Sequence, residues 1–157
     1  MTKQLNPGVR IPPPLIYVAI FLLSLLINRY WPLPGQWLKN SVCYAAGWIC
    51  IGAGLTITIP ALARFIRSKN TLMTIRPATS LQTAGIYSYT RNPMYLGLVF
   101  LYTGIAFFKG NMWTFILLPV VITIIQQYVI KREEKYLTIA FPAVYPDYCK
   151  KVRRWVS

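Results

Sequence analysis

Four apolar segments constrain this chain more than any other feature of its sequence. They run over about 14–28, 41–65, 93–108 and 113–130. A helix needs about 20 apolar residues to cross a bilayer core, so the third segment is short and needs local thinning or interfacial flanking residues. Charged residues make up 13% of the chain, against about 25% in soluble domains. The pattern predicts an all-α integral membrane protein with four transmembrane helices.

The length and the turn signals predict one membrane-embedded domain over residues 1–157. No small-residue cleavage site follows the first apolar segment, so we interpret it as a retained anchor rather than a signal peptide. Gly47, Gly52 and Gly54 in the second segment are expected to let another helix approach closely. Lys109-Gly110-Asn111 predicts a tight turn, which makes the last two segments an antiparallel hairpin.

The basic charge indicates the orientation. The chain has 17 Lys and Arg and 3 Asp and Glu, a net charge of +14. With four spans, the N-terminus, the loop at 66–92 and the C-terminal end share one side and carry most of the basic residues. This side is predicted to be cytoplasmic, with both termini there. Beside the apolar segments, such an excess favours anionic lipid headgroups over nucleic acid, and the small size favours a prokaryotic inner membrane.

The C-terminal end has its own pattern. Tyr145, Tyr148, Val152 and Trp155 recur at helical spacing, and lysines and arginines stand between them. This spacing predicts a short interfacial amphipathic helix. A polybasic topology determinant is the alternative, and the two are compatible.

A charged turn precedes the third segment at Arg91-Asn92-Pro93. A residue before proline favours an extended backbone, and proline suits the first position of a helix. The helix is therefore predicted to begin at Pro93, with unpaired N–H groups and the positive end of its dipole facing the turn. With Arg91 beside them, these groups form a candidate anion site. The alternative is an ordinary turn at the membrane edge with an interfacial arginine.

Acidic residues are scarce, and two of them are adjacent. Glu133 and Glu134 follow the fourth segment, and Asp147 is the third acid. A carboxylate there could hold a cationic group or orient a proton acceptor. The alternative is an exposed pair neutralised by Lys131, Arg132 and Lys135, and the sequence leaves both open. Because the chain has no histidine and no CxxC pair, we predict no metal site.

A polar loop with two tyrosines, residues 79–89, lies between the second and third segments. It offers backbone donors, hydroxyl groups and aromatic surface. The chain contains neither a Walker motif nor GxGxxG, so a nucleotide site of the soluble Rossmann type is not supported.

Taken in order, these residues resemble a family pattern. They are Leu81, Gly85-Ile86-Tyr87, Arg91-Asn92-Pro93-Met94-Tyr95-Leu96-Gly97, Glu133-Glu134, Leu137, Phe141, Tyr145, Tyr148 and Val152-Arg153-Arg154-Trp155. The chain resembles the superfamily of integral membrane enzymes that comprises isoprenylcysteine carboxyl methyltransferases and phospholipid N-methyltransferases. The resemblance covers the C-terminal half, which would be the catalytic half at about 72–157.

The resemblance implies methyl transfer from S-adenosylmethionine to a lipidic or amphiphilic acceptor. By position, the implied cofactor-binding residues are Thr79, Ser80, Leu81, Gln82, Tyr87, Asn92, Pro93, Met94, Tyr95 and Glu133. Arg91 and Glu134 are the implied catalytic candidates, with Glu134 orienting the acceptor or accepting a proton from an amine. Two positions depart from the pattern: Phe141-Pro142 replaces Phe-Gly, and Val129 stands where some members carry a substrate-contacting arginine. The second departure weakens the expectation of a prenylcysteine carboxylate as substrate.

Two other functions fit parts of the sequence. A nicotinamide-dependent membrane reductase of the sterol-reductase type shares the C-terminal pattern, although those relatives have many more spans. A non-enzymatic anchor protein with a basic face explains the charge but not the ordered motif set.

Overall fold

Helices account for every regular element in residues 7–67 and 80–156, the part of the chain that this computed structural model describes. The elements are α1 (Pro13–Tyr30), α2 (Ser41–Arg67), α3 (Pro93–Lys109), α4 (Met112–Ile124), α5 (Lys131–Ala140) and α6 (Tyr145–Lys151). A π-helical stretch, Ile125–Ile130, joins α4 to α5, and short 3₁₀ turns occupy Gln36–Leu38 and Gly85–Ser88. The predicted all-α class is therefore confirmed for the described residues.

Three helical stretches are long and apolar enough to cross a bilayer. They are Pro13–Tyr30, Ser41–Arg64 and Met112–Ala140, while Pro93–Lys109 is a shorter apolar helix. Large apolar side chains lie on their outer surfaces, and Val42 is 76% exposed in α2. Such surfaces are stable in lipid rather than in water. The protein is an integral membrane protein, and the short α3 stays the predicted fourth span.

Glycines bring α2 and α3 into backbone contact. A Cβ atom added at Gly54 would lie 3.0 Å from the carbonyl oxygen of Gly97, and one added at Gly104 would lie 2.9 Å from that of Gly47. The prediction of close approach is confirmed at Gly47 and Gly54. It is wrong at Gly52, which has open space beside it. Five residues turn a helix by about 140° beyond a full revolution, so Gly52 faces away from the stripe that begins at Gly47.

The turn between α3 and α4 closes the predicted hairpin. Gly110 ends α3 with a φ of 58°, a left-handed conformation that suits glycine. The Asn111 side chain then caps α4 by accepting a hydrogen bond from the Trp113 N–H at 3.0 Å. The helix that follows does not stop at about 130, where the apolar pattern ends. It continues through the π-helical stretch and α5 to Ala140, because its charged residues are good helix formers.

Hydrogen bonds between distant segments define the two ends of the helix bundle. At one end, Arg132 donates to the Gly8 carbonyl at 3.0 Å and the Arg91 N–H donates to the Arg153 carbonyl at 3.1 Å. At the other, the Trp113 indole donates to the Trp31 carbonyl at 2.7 Å. We name these the site end and the opposite end. The site end joins the N-terminal segment, the turn before α3 and the C-terminal residues.

The C-terminal helix α6 is shorter than the sequence pattern predicts. It ends at Lys151, and Val152 has an extended backbone with φ −125° and ψ 130°. Tyr145, Tyr148 and Val152 are buried together against Leu81, Leu137 and Phe141. The apolar side of α6 therefore packs on the protein itself. Its position at the bilayer interface stays a prediction.

Candidate active site

The turn before α3 has the local structure that its sequence predicts. Asn92 is the residue before the helix, Pro93 is its first residue, and no side chain caps it. The Asn92 amide instead donates to the Arg154 carbonyl at 3.0 Å. The first N–H groups of α3 thus keep their positive partial charge beside Arg91, as an anion site requires.

The acidic pair, Glu133 and Glu134, lies against this turn. The Tyr95 hydroxyl donates to Glu133 Oε1 at 2.7 Å. Arg91 Nη2 lies 3.2 Å from Glu134 Oε1. Because the two adjacent glutamates contact the turn before α3 and the first turn of α3, the structure brings Arg91, Tyr95, Glu133 and Glu134 into one cluster. The interpretation of the pair as freely exposed is wrong, since the Glu134 side chain is only 17% exposed.

Two polar atoms at this end are buried without a hydrogen-bond partner in the part of the chain that the structure describes. They are Arg91 Nε and the Tyr87 hydroxyl oxygen. Burial raises the pKa of Tyr87, and the nearby Tyr148 hydroxyl and Glu133 carboxylate raise it further. Tyr87 is therefore neutral at physiological pH and keeps its hydroxyl hydrogen. A buried donor left unpaired costs about 1–3 kcal/mol, and a bound acceptor would recover that cost.

The polar loop is partly tied to the same cluster. Gly85 has a φ of 67°, and the loop then forms the 3₁₀ turn Gly85–Ser88. The Tyr148 hydroxyl donates to the Tyr87 carbonyl at 2.6 Å, and burial raises the pKa of Tyr148 to about 12. Leu81 packs on the core of α6, which fixes the loop beside the site end.

The remaining predicted residues contribute less to the geometry. Ser80 and Gln82 are joined by a hydrogen bond of 3.0 Å. Pro93 is buried as the first residue of α3, and Met94 is half-buried. Thr79 lies outside the described residues. The binding roles of these residues stay predictions.

Four residues at the site end make contacts for which the sequence analysis gave them no role. Arg154 pairs with Glu134, Cys149 accepts a hydrogen bond from Arg91, Thr90 donates to the Arg154 carbonyl at 3.3 Å, and Gln126 accepts one from Trp155 at 2.9 Å. Arg154 was part of the family pattern, in Val152-Arg153-Arg154-Trp155, but the pattern gave it no role. Lys150 and Lys151, which stand outside that motif, are exposed.

A comparison with protein families decides the class of this protein. The family model described as phospholipid methyltransferase matches residues 42–143. The chain belongs to this family. It is thereby a member of the superfamily of integral membrane methyltransferases that includes the isoprenylcysteine carboxyl methyltransferases. Comparisons with curated proteins and with solved structures give no match. The matched region contains every predicted site residue and ends before the C-terminal residues that contact them.

Membership of the family indicates methyl transfer to a lipid acceptor. It favours the methyltransferase interpretation over the reductase and the anchor protein. The site is consistent with such a reaction, because methyl transfer needs positioned charges and exclusion of water rather than a histidine or a metal.

Proposed function

We propose that this protein transfers a methyl group from S-adenosylmethionine to a lipidic or amphiphilic acceptor at the cytoplasmic face of the membrane. The observation that carries the proposal is the cluster at the site end. There a partly unsatisfied arginine and an uncapped helix N-terminus face an acidic pair. Family membership supplies the reaction class.

The donors and acceptors of the cluster fit the groups of S-adenosylmethionine. Its carboxylate suits Arg91 Nε and the first N–H groups of α3, which are the donors left open there. Its ammonium suits Glu133, whose carboxylate is held by Tyr95. Tyr87, Met94 and Leu81 offer aromatic and apolar surface for the adenine and the sulfonium. When bound, the cofactor supplies a methyl carbon activated by positive sulfur.

The two glutamates are suited to different tasks. Glu134 contacts two guanidinium groups, those of Arg91 and Arg154, so its oxygens are already occupied by donors. Glu133 has one described hydrogen bond, from a neutral tyrosine hydroxyl. Glu133 is therefore better suited than Glu134 to hold a cation or to take a proton from an amine acceptor, which shifts the role first expected of Glu134.

The proposed orientation rests on charge. The N-terminal segment, the turn before α3 and the C-terminal residues meet at the site end, and these regions carry most of the basic residues. Basic residues concentrate on the cytoplasmic side of membrane proteins. The cofactor would enter from the cytoplasm and the acceptor from the bilayer, between helices whose outer faces are apolar.

Labelling with total lipid tests the proposal directly. Detergent-solubilised protein is incubated with methyl-labelled S-adenosylmethionine and a membrane lipid extract, and the product is identified by mass spectrometry. We expect one labelled lipid class with the wild type and much less with Glu133→Ala. Calorimetry with S-adenosylhomocysteine should show binding by the wild type. Absence of both product and binding would overturn the proposal, and binding of reduced nicotinamide instead would favour the reductase.

A further inference from the structure

The C-terminal tail, Val152–Trp155, lies across the turn that precedes α3. The Arg91 N–H donates to the Arg153 carbonyl at 3.1 Å. The Arg154 carbonyl accepts hydrogen bonds from the Asn92 amide at 3.0 Å and from the Thr90 hydroxyl at 3.3 Å. Backbone contacts of this kind fix where the turn lies whatever side chain the tail carries. They do not by themselves explain an arginine at 154.

The Arg154 side chain adds a separate contact. Its Nε and Nη2 atoms donate to the two oxygens of Glu134 at 3.0 and 2.7 Å, a bidentate pair. Arg91 reaches the same carboxylate through one nitrogen, at 3.2 Å. Bidentate guanidinium–carboxylate pairs are the stronger and more directional kind. Arg154 therefore makes the stronger contact with Glu134, and Arg91 shares the same carboxylate.

The charges of this triad have a consequence for Arg91. Two guanidinium groups face one carboxylate, so the triad keeps a net positive charge. Arg91 is only 14% exposed, and water screens it little. Without Arg154, Glu134 would be free to pair with Arg91 alone and to neutralise it. A neutral ion pair attracts an anion far less strongly than a group with net positive charge does.

We propose that Arg154 is a positioning residue that keeps Arg91 oriented, and the triad of Arg91, Glu134 and Arg154 net positive, for an anionic group of the cofactor. The inference rests on the proposed function, because it assumes that Arg91 receives the carboxylate of S-adenosylmethionine. It assigns a role to a residue outside the segment that the family model matches. Arg154 acts through Glu134 and Arg91 and does not itself touch the reacting atoms.

Two ligands separate this role from a purely structural one. S-adenosylhomocysteine carries the carboxylate, and its decarboxylated analogue keeps the adenine, the sulfur and the ammonium. We expect Arg154→Ala to weaken binding of S-adenosylhomocysteine about tenfold, because the charge-assisted contact between Arg154 and Glu134 is lost. Binding of the decarboxylated analogue should weaken less than about twofold. Lys151→Ala removes the same charge from an exposed position of α6 and should change neither affinity. Calorimetry in detergent gives the dissociation constants.

Arg154→Lys provides the conservative comparison. A lysine keeps the charge but loses the bidentate contact, so the loss should be smaller and should still be confined to the carboxylate ligand. This variant also carries the test if Arg154→Ala does not fold. Equal losses for both ligands, or no loss for either, would overturn the inference while leaving the proposed function intact. Failure of the wild type to bind either ligand would instead remove the proposed function.

Discussion

The two ends of the helix bundle both contain buried polar side chains, but they treat them differently. At the opposite end, the Ser24 and Thr114 hydroxyls lie 2.9 Å apart and Asn111 donates to the Ser24 carbonyl at 3.2 Å. All three residues are buried, uncharged and hydrogen-bonded. At the site end, the charged side chains of Arg91 and Glu134 are only 14% and 17% exposed, and Arg91 Nε and the Tyr87 hydroxyl have no partner in the described part of the chain.

This difference distinguishes a structural network from a candidate binding site. Buried polar groups are normally satisfied, because an unsatisfied group costs free energy. The network at the opposite end follows that rule and ties α1 to α4. The cluster at the site end departs from it at two atoms, and the Thr58 and Tyr102 hydroxyls, on α2 and α3, are the other departures among the described residues. Such a departure is expected where a ligand completes the hydrogen bonds.

Removing Arg91 should give the largest effect. We expect Arg91→Ala to weaken S-adenosylhomocysteine binding by about 2–3 kcal/mol, roughly 30- to 150-fold, because a buried charge-assisted contact is lost. Calorimetry on detergent-solubilised protein measures it, with Arg91→Lys as the variant that keeps the charge. An unchanged dissociation constant in both variants would show that the site end is no more than a second structural network.

Removing Asn111 should destabilise the protein without affecting the ligand. Asn111→Ala deletes the cap of α4 and the contacts with Ser24, at a cost of about 2 kcal/mol. The midpoint of thermal unfolding in detergent should fall, while the affinity for S-adenosylhomocysteine stays constant. Asn40→Ala is the control, because Asn40 caps α2 in the same way but is exposed, and its loss should cost less. Loss of ligand affinity in Asn111→Ala would break the comparison between the two ends.

A smaller effect is expected for Tyr95→Phe. The substitution keeps the buried ring and removes the 2.7 Å hydrogen bond to Glu133. One such bond contributes about 1.4 kcal/mol, so ligand affinity should fall about tenfold. Tyr102→Phe on the same helix is a matched control, since the Tyr102 hydroxyl has no described partner. Equal affinities in the two variants would argue against a role for Glu133 in holding the ammonium.

The smallest effect is expected for Tyr148→Phe. Its hydroxyl is a neutral donor, because burial raises its pKa to about 12, and the variant leaves the Tyr87 carbonyl without that bond. We expect a loss of about 1 kcal/mol in stability and about twofold in affinity. The raised pKa also means that this contribution is complete below pH 10 and is lost as the pH rises from about 10 to 12. The assignment of Tyr148 as a neutral donor would be contradicted if the wild type lost stability between pH 6 and 9 and Tyr148→Phe did not.

Sequence reasoning predicted the elements that depend on local chemistry. Pro93 starts α3 and Gly110 ends it, because proline and glycine restrict or permit particular backbone angles. The meeting of Arg91 with the acidic pair followed from topology, since an antiparallel hairpin returns the chain to the end where α3 began. The family resemblance, carried by the ordered motifs, is confirmed by the family match.

The rest depends on contacts that leave no pattern in the sequence. The Arg154 carbonyl holds the turn before α3, and backbone oxygens are the same at every residue. Gly52 differs from Gly47 only in the direction it faces, which the packing of α2 decides. Arg154, rather than Lys150, pairs with Glu134, and this depends on where α6 ends. The sequence pattern predicted a helix as far as Trp155, whereas α6 ends at Lys151.

The π-helical stretch has a consequence for how this family member tolerates insertions and deletions. Ile125–Ile130 accommodates about one residue more than an α-helix of the same height. Deleting a single residue there would let the rod become regular, without disturbing its apolar character. Because the stretch already holds the extra residue, both carboxylates beyond it would keep their angular position, whereas deleting a residue from the regular part of α4 would rotate them by about 100° about the helix axis. The π-helical stretch is thus the place where this helix can lose a residue without turning Glu133 and Glu134 away from their guanidinium and phenol partners.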